Sequence, residues 1–237
     1  MKKIITFLCF ACACTSLNAM DAYEIFKYEI FKKAPQLPII QEVLSNGFDV
    51  NSQSPYNKNF TLLCEAVVAN KCEALEYLLD KKAKVYMPGT KNPLFLPAIN
   101  FDQAYQKNIT LLLENGANVI SNKTYKLGWN PFVKMTIIMA QYFINAAKNS
   151  NLDGMKQYLQ DPLIRNVTDE TGNTALHYSV LNQREDIVDF LLPRFKTPKD
   201  LMLKNLEEKT AIDLAAQNNK CIWTKIVTRM YELNQKN

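Results

Sequence analysis

His177 is the only histidine among the 237 residues, so any imidazole chemistry would have to start there. A zinc site would need further nitrogen or sulfur ligands at short spacing. No cysteine lies near His177 in sequence to complete one. The cysteines, Cys9, Cys12, Cys14, Cys64, Cys72 and Cys221, fall at no framework spacing. Adjacent acids occur as Asp169–Glu170, Glu185–Asp186 and Glu207–Glu208. They sit at expected turns or helix starts, where they complement helix N-termini rather than form an acid–base pair. G-x-S-x-G, Walker and H-E-x-x-H patterns are all missing from the sequence. The reading is a non-enzyme, with no cofactor and no metal.

The N-terminus reads as an address. Lys2 and Lys3 precede an uncharged apolar run at residues 4–17, and Ser16, Asn18 and Ala19 supply a small or polar exit from it. That is the pattern of a Sec-type signal peptide over residues 1–19, cut after Ala19 or Ala22. A retained anchor is the alternative, though the run is short for a bilayer. Lipidation at Cys12 or Cys14 is another, though neither has Leu three positions before it. Cleavage removes Cys9, Cys12 and Cys14, leaving an odd set of cysteines read as buried free thiols. The formal net charge falls from +5 to +3 with Lys2 and Lys3 gone. Lys32–Lys33 and Lys81–Lys82 form no dense basic block, so nucleic acid is not expected as a partner. The sequence is 48% hydrophobic and 22% charged, enough to build a core.

The elements that must hold His177 repeat along the chain. Residues 169–180 read DETGNTALHYSV, and residues 59–66 read NFTLLCEA, with Cys64 in the place of His177. Residues 210–216 read TAIDLAA, with Asp213 in that place. Double-leucine tails close the segments, as LSNGFDVN at 44–51 and LLENGANV at 112–119. The second leucines of the tails, Leu44, Leu79, Leu113, Leu159 and Leu192, are spaced 35, 34, 46 and 33 apart. One interval is about a dozen residues too long, and the excess lies in residues 121–135, SNKTYKLGWNPFVKM. Either the connecting loop is enlarged there or the following inner helix is extended towards its N-terminus.

These residues resemble ankyrin repeats, whose signature T-P-L-H-x-A and period of about 33 residues they follow. The resemblance implies an all-α ankyrin-repeat solenoid of about six stacked helix–turn–helix units with short hairpin-like turns. Its units would cover residues 21–53, 54–87, 88–120, 121–168, 169–204 and 205–237. It implies Thr61 and Thr174 as helix caps, a positive-φ turn at Gly172 with Asn59 in the matching place, and a core including Leu63, Leu78, Leu79, Leu176, Leu191 and Leu192. His177 would bond across neighbouring turns. Pro97 would interrupt the first helix of the third unit, and the helix from Cys221 to Leu233 would close the array. Stacked layers about 8–10 Å apart would keep Cys72 and Cys221 from pairing.

Such arrays bind proteins through their turn tips and inner-helix face. Carried residue by residue, that surface comprises Tyr56, Lys58, Phe60, Glu170, Asn173, Tyr178, Asn182 and Lys209. The insert adds Tyr125, Lys126, Trp129 and Phe132, with Trp129 either at an interface or plugged onto its own array. The function expected is a monomeric, non-enzymatic protein-binding module exported through the Sec pathway, periplasmic or secreted, with no membrane span after cleavage. The alternative is a periplasmic protective or scaffolding protein supporting another enzyme or an envelope assembly.

Overall fold

The computed structural model describes residues 19–31, 37–45, 47–95, 106–120, 131–159 and 162–235. Within them the chain is all-α, and only isolated β-bridges occur. It divides into two compact units, one of residues up to 84 with 89–91, the other of residues 85–88 and 92–237.

The first unit holds two helix pairs: α1 (Ala19–Phe31) with α2 (Leu37–Ser45), and α3 (Leu62–Val68) with α4 (Cys72–Asp80). Tyr23, Phe26 and Ile30 recur at helical spacing on α1 and are all buried, as are Leu62, Leu63 and Val67 on α3. The two helices pack together, as do α3 and α4. Each seven-to-nine-residue helix is too short to stand alone, so burial between helices supplies most of its stability. Thr61 caps α3 by accepting the Cys64 amide on its hydroxyl.

The second unit begins with a 3₁₀ turn, Pro93–Phe95, and α5 (Gln106–Glu114); Pro97 lies outside the described residues. Next come α6 (Pro131–Lys148), α7 (Leu152–Tyr158), a 3₁₀ turn (Pro162–Asn166), α8 (Ala175–Leu181) and α9 (Glu185–Leu191). The 3₁₀ turn Leu192–Arg194, α10 (Pro198–Leu201), α11 (Ala211–Asn218) and α12 (Lys220–Asn234) complete it. The inner helices α6, α8 and α11 pack side by side, each against the outer helix that follows it. The excess of residues 121–135 therefore goes, at its C-terminal end, into a longer inner helix: α6 runs for 18 residues from Pro131. Proline suits that first position because its missing N–H has no helical partner there.

One loop geometry joins inner to outer helix three times. Amides of Ala69, Asn70 and Lys71 bond to the carbonyls of Glu65, Val67 and Ala66. Asn149–Ser150–Asn151 and Asn182–Gln183–Arg184 repeat the same pattern on α6 and α8. The middle residue is left-handed each time, with φ of 53° at Asn70, 57° at Ser150 and 54° at Gln183. Outer helices end with Gly47, Lys82 and Gly116 at φ of 86°, 64° and 83°. Lys82, where the glycine has been lost, still takes the glycine conformation.

Two expectations are corrected. Asn59 does not adopt the positive φ of Gly172 (76°); in the last repeat Glu208 does, at 60°. The 54–61 turn is instead drawn together by an antiparallel bridge between Gln53 and Thr61. Of the described cysteines only Cys64 is buried; Cys72 is half-buried and Cys221 exposed, and none of the three is in a disulfide.

Candidate binding surface

His177 is a structural clasp. Thr174 caps α8, and its backbone amide donates to His177 Nδ1 at 3.2 Å in a reciprocal capping box. An amide can only donate, so Nδ1 accepts and the ring proton sits on Nε2, which donates to the Lys209 carbonyl at 3.0 Å. His177 is 1% exposed, and burial holds its pKa below the usual imidazole value. Cys64 copies the arrangement in the first unit. Its amide donates to Thr61 Oγ1 at 3.3 Å and its thiol to the Lys91 carbonyl at 3.3 Å. Burial pushes that thiol up, away from reactive thiolate. Asp213 keeps the local half only: Oδ2 accepts the Thr210 amide at 2.9 Å and the Thr210 hydroxyl at 2.7 Å. These two bonds, the amide first, hold its carboxyl below the ordinary value. A nucleophile or acid–base pair does not arise from any of the three.

The turns preceding α8 and α11 are shaped by side chains five positions before the capping threonine. Asp169 Oδ1 accepts the Thr171 amide at 2.9 Å, the Thr171 hydroxyl at 2.6 Å and the Asn173 amide at 3.1 Å. Asn205 Oδ1 accepts the amides of Glu207 at 3.0 Å and Lys209 at 3.1 Å, the same two positions in the next turn. Asn205 also donates to Asn173 Oδ1 at 3.0 Å, and the Leu206 amide to the Thr171 carbonyl at 3.0 Å, tying one tip to the next. Gly172 sits inside this contact: a Cβ there would stand 2.9 Å from Leu206 N.

The expected surface residues divide. In the first unit Tyr56 is 65% exposed, Lys58 is exposed and Phe60 half-buried. In the second unit Glu170 and Asn182 are exposed, and Lys209 is half-exposed with its ammonium 3.2 Å from Glu207. Asn173 is half-buried and belongs to the tip-to-tip bonding. Tyr178 is a correction: expected on the open face, it is 8% exposed. Its hydroxyl donates to Asp169 Oδ2, and Lys148 lies 5.9 Å over its ring and 3.9 Å from the same carboxylate. Burial, then the bond to Asp169, pushes the phenol up to about 12. Tyr178 joins α6 to α8 and is not free to meet a partner. Lys126 and Trp129 lie outside the described residues; of Phe132 only the backbone, in α6, is described.

Sequence reasoning missed Asp169 and Asn205 as turn builders, although their constant offset from Thr174 and Thr210 was the available signal. It also missed Leu206 and Leu181, exposed at 41% and 45%. Leu206 stands at a turn tip, with an apolar side chain partly open to solvent.

Residues 143–237 match the family model for ankyrin repeats, in three copies. The fold is an all-α ankyrin-repeat one, of a class that serves protein–protein interaction. No curated protein matches the sequence. Among solved structures, one described as the predatory endopeptidase Bd0816 from Bdellovibrio bacteriovorus in complex with immunity protein Bd3460 has a chain 21% identical. The match covers 86% of this chain and 97% of that one, at a TM-score of 0.35.

Proposed function

We propose that this chain is a non-enzymatic binding module that holds a partner protein on its turn tips and the neighbouring inner-helix ends. The observation that carries the reading is a division of labour within each turn. Buried Asp169 and Asn205 fix the backbone, while Glu170 and Leu206 project outward. Tyr56 and Lys58 project likewise in the first unit, from a turn whose Ser54 hydroxyl accepts the Tyr56 amide at 3.3 Å. Pre-shaped tips spare a complex the cost of ordering them, and exposed aromatic side chains are common anchors. Lys126, Trp129 and Phe132 stay in the proposed surface on the strength of the sequence.

Export through the Sec pathway to the periplasm or beyond completes the proposal. Cleavage after Ala19 suits the fold better than cleavage after Ala22, because the later cut would remove the first turn of α1 and the buried Ala22. The mature chain would then begin at Met20, which N-terminal mass spectrometry of the exported protein reads directly. The binding test is affinity capture with the exported chain against a variant combining Tyr56→Ala, Glu170→Ala and Leu206→Ala. Loss of the captured species with an unchanged circular dichroism spectrum supports the tips as the site. Undiminished capture would mean that the partner sits elsewhere.

A further inference from the structure

α12 is amphipathic in an unusual way. Ile222, Ile226 and Leu233 are buried on one side, where the helix packs against α9, α10 and α11. Trp223, Val227, Met230 and Tyr231 follow at i, i+4, i+7 and i+8, a single stripe on a different side. Trp223 is 36% and Tyr231 65% exposed, with Val227 and Met230 partly exposed between them. The neighbouring charges are committed within the chain. Lys225 meets Asp189 at 2.8 Å and Glu185 at 3.2 Å. Arg229 meets Glu232 at 3.0 Å and the carbonyls of Leu192 and Phe195. The stripe itself carries no charge to oppose a like surface.

The helix ends are charged against their own dipole. Lys220 opens α12 with no acid in the first turn, and the last turn holds no base. The N-terminal end of a helix is partly positive and the C-terminal end partly negative, so a lysine belongs at the other end. We infer that the stripe pairs with the same stripe of a second copy of this chain, the two helices antiparallel about a two-fold axis near Val227. Each Trp223 then meets the Tyr231 of the other copy, and each Lys220 lies over the carbonyl end of the other α12. A two-fold pair requires a self-complementary patch of this kind, and aromatic pairs add to the apolar burial. The stripe spans nine residues, about 12 Å of helix. Four stripe residues are far fewer than the roughly 20–30 residues a side of a standard interface, so the pair is weak and reversible, in place of the monomer that the sequence suggested.

Sedimentation equilibrium of the purified chain from micromolar to near-millimolar concentration reads the association. The expected result is a monomer–dimer equilibrium whose dissociation constant rises about tenfold or more in Trp223→Glu and in Tyr231→Glu, a change of roughly 1.4 kcal/mol. Both side chains are exposed, and circular dichroism checks that the variants keep their helices. Geometry is tested independently in a Cys221→Ser background. Val227→Cys cross-links to itself under mild oxidation, whereas Trp223→Cys, held about 12 Å or more from its copy, does not. A chain that stays monomeric throughout, a dimer indifferent to both glutamates, or self-cross-linking at position 223 instead of 227 would each overturn the pairing.

Discussion

At the scale of single residues, one position shows how little chemistry the repeat demands. His177, Cys64 and Asp213 occupy equivalent places; the first and third accept the amide of their capping threonine, the second that threonine's hydroxyl. Only the first two carry a proton to a neighbouring turn. The imidazole's consequence is a pH dependence with a defined sign. Burial lowers its folded pKa below the ordinary 6.5, so the unfolded chain binds the proton first as pH falls. The stability that His177 contributes is whole above pH 6.5 and is lost on descending through the folded value. Asp213, depressed from 3.8, acts in a separate and lower window. His177→Gln should flatten the fall of the urea midpoint below about pH 6.5 and cost about 1–3 kcal/mol at neutral pH, by orphaning the buried partner groups. Tyr178→Phe should cost a similar 1–3 kcal/mol, since buried Asp169 loses a donor. A partner-binding loss without a stability loss in that variant would return Tyr178 to the open face.

At the scale of elements, glycine and its substitutes separate what the fold requires from what it prefers. Gly172→Ala combines a left-handed φ with a Cβ pressed against backbone of the next turn, so a loss of about 1–3 kcal/mol is expected in chemical unfolding. Lys82→Gly runs the other way. It relieves a left-handed lysine at φ 64°, and a gain of about 0.5–1 kcal/mol is expected in the same assay. The helix pairs were legible because leucine pairs and capping threonines mark their ends in sequence. The length of α6 was not, since an enlarged loop and an extended helix give the same spacing. Tyr178 misled because the repeat pattern assigns a face, while Lys148, which covers that face, comes from the preceding repeat 30 residues away. Asp169 was read as a charge at a turn; that it organises the turn depends on distances to amides, which residue types alone do not reveal.

At the scale of the molecule, no helix among the described residues is long and apolar enough to cross a membrane. Surface ion pairs such as Lys156–Asp153 and Lys204–Glu208 are exposed on both sides and contribute little. Raising salt to about 1 M, where screening acts within about 3 Å, should therefore shift the thermal midpoint only slightly. A large fall in calorimetry would place the stability in charge rather than in the buried leucines. The loop shared by Asn70, Ser150 and Gln183 has one further consequence. Its shape is set by three main-chain bonds, and four different polar residues, with Lys82 counted at the other loop, accept the left-handed turn. The main-chain geometry therefore persists across different wording, while some side chains add ties of their own, as Asn182 does to the Lys148 carbonyl and Arg184 to the Ser150 carbonyl. A chimera that exchanges residues 69–71 for 182–184 should fold unchanged.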